Sequence, residues 1–289
     1  VRSEAMTAMR GFVLLLSFKF VYDAFMDMNP RQIALVEAVR EDGTASIEAL
    51  AQRFGVTLQT VRRDVTLLAG AGLLARFHGG VRVAASSTTE NIAYQQRKAV
   101  NAEGKRRIAQ AVAAQVPEGC SLILNIGTTT EAIARALLNH RGLRVITNNL
   151  HVADILAANP DCEVIVAGGL MRASDRAIVG DAAIDFIRRF KVDIGLIGIS
   201  GIEADGTLRD YDLREVSVAR TIIEQSREVW LAADRSKFER QAMVEVAHVS
   251  RIDRLFTDQP IPETIARVLR ESGVRCEITA HPPSDQALP

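Results

Sequence analysis

Residues 46–83, SIEALAQRFGVTLQTVRRDVTLLAGAGLLARFHGGVRV, constrain the fold more than any other stretch of the chain. Ile47, Leu50, Ala51 and Phe54 recur at helical spacing and predict one buried stripe, with Ser46 as the N-cap. Gly55 supplies a sharp turn, because a left-handed backbone costs glycine no Cβ clash. A second helix follows with Leu58, Val61, Val65 and Leu68 facing inward. Its outward face carries Gln59, Arg62, Arg63 and Thr66, side chains that can read base edges in a major groove. Residues 73–77 and 81–83 then alternate around His78-Gly79-Gly80, which predicts a β-hairpin. That order is a winged helix-turn-helix, a reader of double-stranded DNA.

The expected DNA contacts are Thr57, Gln59, Thr60, Arg62, Arg63 and Thr66 on the second helix, with Arg76, His78 and Gly79 on the wing. Asp64 lies close enough in sequence to Arg62 to suggest an internal ion pair. Between Arg31 and Val83 the basic residues only slightly outnumber the acidic ones, so one copy should hold DNA weakly. The expectation is a homo-oligomer, dimer or tetramer, working on repeated half-sites.

At 289 residues the chain has room for two domains and a sizeable core. The formal net charge is zero, so no polybasic surface dominates the molecule. Cys120, Cys162 and Cys276 are scattered without metal-ligand spacing, and the histidines at 78, 140, 151, 248 and 281 form no cluster. Neither a metal nor another cofactor is expected, and a reduced, cytoplasmic setting is. Residues 12–20 are apolar but too short to span a bilayer, and they lack a small-residue cleavage pattern. Residues 1–27 are therefore read as an extension ahead of the fold, with no membrane partner, and Met28 as its beginning.

The remaining boundaries are 28–83 for the reader, 84–90 for a small polar linker, 91–280 for a larger domain and 281–289 for a loose tail. In the larger domain short apolar runs at 121–126, 144–147, 163–167, 194–199, 229–232 and 254–256 predict strands. Helical patterns at 131–138, 153–158, 182–190 and 216–225 lie between them. Alternation of this kind predicts an α/β fold with a Rossmann-like parallel sheet covered on both faces.

Ligands of such sheets bind beyond the carboxyl ends of the strands. Gly127, Thr128, Thr129 and Thr130 open a helix there and could cradle a phosphate. Thr128 and Glu131 also fit an ordinary capping box, which on sequence alone is the stronger reading. Asn148 and Asn149 follow a strand and suit either a polyol or their own turn. Ser200, Gly201, Asp210, Asp212, Glu215, Asp234 and Lys237 lie near further strand ends, and Lys237 is a plausible counter-charge for an anion.

From about Met28 to Thr279 the chain resembles the DeoR family of bacterial transcriptional repressors. The resemblance rests on VTLQTVRRDV, RFHGG, IGTTTEA, TNNLHVA, AGG, IGISGIEADGTLRDYD, EV and ADRSKF, in that order. It implies an effector domain of the ribose-phosphate isomerase and CoA-transferase type, without isomerase activity. It also implies a phosphorylated sugar or polyol as effector, glycerol 3-phosphate first among them, that relieves operator binding. The phosphate would sit on residues 127–130, with Asn148, Asp212 and Lys237 lining the same pocket. Many relatives carry Asp at the position of Asn125, and Asn there removes a charge facing an anionic ligand. A sugar-phosphate isomerase using the same pocket, with Asp212 or Glu215 as base and Lys237 as electrophile, is the alternative.

Overall fold

The computed structural model describes residues 29–42, 44–70, 74–77, 80–83, 91, 94–238 and 240–279. His78 and Gly79, the segments 1–27 and 281–289, and the linker 84–90 lie outside the described residues. The chain separates into two compact units, divided between Ser86 and Ser87.

The first unit runs α1 (Pro30–Asp42), β1 (Thr44–Ser46), α2 (Ile47–Phe54), α3 (Leu58–Gly70), β2 (Leu74–Phe77) and β3 (Gly80–Val83). Leu50 and Ala51 of α2 meet Val61, Val65 and Leu68 of α3 and Leu35, Val36 and Val39 of α1 in one core. Each aliphatic side chain buried this way is worth about 1.5–3 kcal/mol, which offsets the entropy of ordering so short a chain. Ser46 caps α2 by accepting from the Ala49 amide at 3.0 Å. Gly55 ends α2 at φ 61° and hands its amide back to Ala51 and Gln52, the turn expected from the sequence. The strands pair antiparallel in the order β1-β3-β2.

The second unit continues with α4 (Tyr94–Ala99), α5 (Ala102–Gln115), β4 (Ser121–Leu124), α6 (Thr128–Ala136), β5 (Leu143–Thr147), α7 (Leu150–Leu156) and β6 (Cys162–Val166). A hairpin of β7 (Leu170–Arg172) and β8 (Ala177–Val179) precedes α8 (Asp181–Ile187), β9 (Val192–Ile197), β10 (Gly201–Ile202), β11 (Thr207–Asp210) and α9 (Leu213–Glu224). The last elements are β12 (Ser226–Ala232), β13 (Val244–His248), β14 (Arg254–Thr257), α10 (Glu263–Glu271) and β15 (Arg275–Ile278).

Seven of these strands form one parallel sheet in the order β15-β14-β12-β9-β4-β5-β6. Side chains alternate along a strand, so each central strand feeds two cores. Leu122 and Leu124 of β4 join Trp230 and Phe256 against Ile108, Val112, Ile133 and Leu137 on one face. Ile123 joins Ile146, Ile197 and Leu231 against Ile184, Val216 and Ile222 on the other. The α/β fold with an N-terminal helix-turn-helix is as expected.

The chain runs from β4 outward to β5 and β6, then returns to lay β9, β12, β14 and β15 on the other side. The order therefore reverses between β4 and β9, and a crevice opens outside the carboxyl ends of strands at such a point. Several details depart from the sequence expectation. The strand expected at 121–126 stops at Leu124, which releases Asn125 and Ile126 into the loop that forms the crevice. Helices α5 and α10, edge strand β15, the β7–β8 hairpin and an antiparallel sheet β10-β11-β13 were not anticipated. Among the described residues no helix is long and apolar enough to cross a membrane.

Candidate functional site

Two surfaces hold the residues singled out by sequence, one in each unit. On α3, Gln59, Arg62, Arg63 and Thr66 are exposed, while Val61, Asp64, Val65 and Leu68 are buried. The pairing expected between Arg62 and Asp64 does not occur. Asp64 turns inward, accepting from Arg31 Nε at 2.9 Å and from Gln32 Nε2 at 2.9 Å on α1. That arrangement anchors α3 and leaves both adjacent guanidiniums on the outer face. Thr57 Oγ1 accepts from the Thr60 amide at 3.2 Å and so caps α3. Thr66 Oγ1 donates to Arg62 O at 2.7 Å, and Arg76 Nη1 reaches the same hydroxyl at 3.5 Å. The exposed amide and guanidiniums are thus Gln59, Arg62 and Arg63, with Arg76 beside them; His78 and Gly79 lie outside the described residues.

In the second unit the crevice between β4 and β9 is a cleft with about 530 Å³ of atom-free space out to its open mouth. Asn125, Gly127, Thr128 and Thr129 line one side, and Gly198, Ile199 and Ser200 line the other. Arg97, Asp210, Glu215 and Lys237 complete it. The capping box expected of Thr128 and Glu131 is absent. Gly127 is the N-cap, at φ 140°, and α6 opens at Thr128 with no side-chain cap. Its first turn bond is from the Glu131 amide to Gly127 O at 3.0 Å, so the amides of Thr128, Thr129 and Thr130 precede the helical ladder. Glu131 is instead buried and accepts from the Tyr94 hydroxyl at 2.9 Å. The helix start is therefore left without a side-chain cap, and its amide donors are of a kind that suits an anion.

Asn125 is held by its amide bond to Leu196 O at 3.0 Å, and its buried Oδ1 has no hydrogen-bond partner among the described residues. Lys237 follows the turn that Asp234 makes after β12, where Asp234 Oδ1 accepts from the Ser236 amide at 2.9 Å. Burial lowers the Lys237 ammonium to about 8, helped by Arg240, Lys105 and Arg97 and opposed by Asp234. Burial, then the Asp210 charge, pushes Glu215 up to about 7 despite its ion pair with Arg172. Asp210 is likewise raised by burial, although Ser200 and the Tyr211 amide bond to it. The cleft thus combines amide donors and two cations with two carboxylates that resist full ionisation together.

Of the residues proposed for the effector, the fold brings Asn125, Gly127, Thr128, Thr129, Glu215 and Lys237 together. Thr130 is fully buried and donates to Gly127 O at 2.8 Å, behind the loop. Asn148 Nδ2 donates to Ile178 O at 3.1 Å, fastening β8 to the end of β5. Asp212 caps α9 and pairs with Arg172 at 3.1 Å and Arg214 at 2.7 Å. Those three do not line the cleft. Sequence reasoning missed Arg97, which comes from α4 far upstream. It passed over Ser200 and Asp210 as specific contacts, although both stand in the block from 197 to 216.

A model of the DeoR C terminal sensor domain matches residues 100–259, and one of the DeoR-like helix-turn-helix domain matches residues 31–87. The chain belongs to the DeoR family. The glycerol-3-phosphate regulon repressor of Escherichia coli (strain K12) is 44% identical over 253 residues, 88% of this chain and 100% of its own. Its namesake from Haemophilus influenzae is 44% identical over 86% of this chain and 96% of its own. The HTH-type transcriptional repressor CsqR of Escherichia coli is 40% identical over 85% and 94%. This DeoR-family chain is a DNA-binding transcriptional repressor, and the isomerase alternative finds no support among such relatives. Among solved structures, ribose 5-phosphate isomerase A of Methanocaldococcus jannaschii is 15% identical, with a TM-score of 0.37, over 48% of this chain and 56% of that one. That likeness is too distant to carry chemistry across.

Proposed function

We propose that operator binding by this repressor is relieved when a small phosphorylated polyol, glycerol 3-phosphate in the first instance, enters the cleft between β4 and β9. The observation that carries this reading is the uncapped start of α6, with the amides of Thr128 and Thr129 and the ammonium of Lys237 lining the cleft where the strand order reverses. Ser200, Asp210 and Glu215 supply acceptors suited to hydroxyl groups on the rest of the ligand. The names of the relatives, two of which are glycerol-3-phosphate regulon repressors, favour the same ligand.

In this reading residues 28–83 read DNA through Gln59, Arg62, Arg63 and Arg76, residues 84–90 are the linker, and 91–280 sense the effector. The protein acts as a homo-oligomer on paired half-sites, in the cytoplasm. Effector relieves repression only if it binds better to the state that holds DNA poorly. Fluorescence anisotropy on operator DNA with added glycerol 3-phosphate tests the whole. Release at submillimolar ligand is expected, and Arg63→Ala should lose DNA while keeping its ligand-induced thermal shift. Tight DNA binding that no phosphorylated polyol reverses would contradict the proposal.

A further inference from the structure

Arg97 is the cleft residue closest to the reader in sequence, and its present bonds are of an exchangeable kind. It stands on α4, the first described helix after β3. Its guanidinium touches Asp175 Oδ2 through Nη2 at 3.2 Å, while its buried Nε has no hydrogen-bond partner among the described residues. Asp175 does not depend on that contact. Arg172 already holds it with a fork, Nε to Oδ1 at 2.9 Å and Nη2 to Oδ2 at 2.6 Å. Withdrawal of Arg97 would therefore leave no unpaired buried carboxylate, the usual obstacle to breaking such a pair.

The backbone of the same residue is tied to the phosphate loop. Thr128 Oγ1 donates to Arg97 O at 3.4 Å, and Lys105 Nζ donates to Arg97 O and, at 2.6 Å, to Val100 O. Tyr94 at the other end of α4 stacks on His151, with ring centroids 5.1 Å apart, and bonds Glu131. An anion at the start of α6 competes for two of these ties at once. A phosphate oxygen is a stronger acceptor for Thr128 Oγ1 than a carbonyl at 3.4 Å, and it offers the guanidinium a charge-assisted fork.

We propose that Arg97 is an effector-binding residue, and that its capture by the ligand's phosphate loosens α4 from the cleft, reporting occupancy along the chain to the DNA-reading unit. The inference rests on the reading of the cleft as the phosphate site. It assigns Arg97 a specificity role for anionic ligands and Asp175 the role of its competitor.

The test uses the full chain, glycerol 3-phosphate as probe, and a DNA fragment that the wild-type protein selects from a random pool. Arg97→Gln is expected to weaken glycerol 3-phosphate binding at least about tenfold, and to stay on DNA at ligand concentrations that saturate the variant. Arg97→Lys should recover binding in part, since it keeps the charge and loses the fork. Asp175→Asn should act in the opposite direction, with release from DNA at lower ligand concentration than wild type. Wild-type binding and release by Arg97→Gln, with a clear loss in Lys237→Ala, would overturn this inference and leave the cleft reading standing. A weakened response in Asp175→Asn would also overturn it, because a merely structural ion pair behaves that way. Failure of the wild type to bind either glycerol 3-phosphate or inorganic phosphate would overturn both readings.

Discussion

Lys237 and Glu215 face one cleft, and burial moves their proton affinities toward each other, to about 8 and about 7. Each displacement has a pH signature. A phosphate monoester loses its second proton near about pH 6, so above neutrality the change in anion binding comes from the protein. Binding of glycerol 3-phosphate is expected to weaken as pH rises through about 8, where Lys237 loses its charge. Calorimetric titration from pH 7 to 9 checks this, and Lys237→Arg should flatten the profile. For Glu215 the folded value is raised, so its favourable contribution is complete at low pH and is lost as pH climbs toward about 7. Glu215→Gln, which mimics the neutral acid, should therefore stabilise the protein on the order of 1 kcal/mol at pH 8 and leave it nearly unchanged at pH 4, below the carboxyl's unfolded value. Urea unfolding at the two values would measure it. At this scale Lys237 was legible as one of two readings, a counter-charge near a strand end or an ordinary solvated lysine, and the structure places it in the cleft. Arg97 was not, because it sits in an amphipathic stretch with no motif, and only the closure of α4 over the loop brings it to the cleft.

Asp64 shows how an element is fixed by one polar contact. It is buried on α3 with Arg31 and Gln32 of α1 as partners, so the recognition helix is keyed to the helix behind it. Asp64→Ala leaves the Gln32 amide buried without its acceptor, and a loss of about 1–3 kcal/mol is expected. Thermal denaturation followed by circular dichroism would show it, and Arg62→Ala, on the exposed face, should change stability little. The sequence made α2, the Gly55 turn and α3 plain, because apolar spacing and a turn residue agree there, although Leu58, expected on the inward face, lies exposed in the first turn of α3. It also made the five inner strands plain, since strands buried on both faces read as continuous apolar runs, and edge strand β6 with them because Val164, Ile165 and Val166 keep an apolar run there. Edge strand β15 escaped notice because Arg275, Cys276 and Ile278 are exposed, which removes the apolar run. Helix α5 does carry an apolar stripe of Ile108, Ala109, Val112 and Ala113, but its first turn buries Lys105 through bonds to the carbonyls of Arg97 and Val100, which breaks the pattern at the helix start. The start of α6 was misjudged for a related reason: Thr128 and Glu131 have capping-box spacing, but Tyr94 takes the glutamate, a long-range partner that local spacing does not reveal.

At the scale of the molecule the reader carries only a slight excess of positive charge, which limits what a single copy can gain from phosphate neutralisation. In the proposed reading, exposed Gln59, Arg62 and Arg63 on a single helix would reach only a short run of bases, too few for selective binding in a genome. In the proposed homo-oligomer both shortfalls would be met by joining two readers, since the second binding step is then intramolecular and occurs at a high effective concentration. A DNA duplex with two half-sites one helical turn apart should therefore bind at least about a hundredfold more tightly than one with a single half-site. Moving the half-sites apart by half a turn should abolish most of that gain, because the two recognition helices would then face opposite sides of the duplex. Glycerol 3-phosphate should reduce binding to the paired site and leave the weak single-site binding nearly untouched, as expected for an effector that alters how readers are presented rather than the reader itself. Equal affinity for the single and paired sites would instead mean that each copy acts alone.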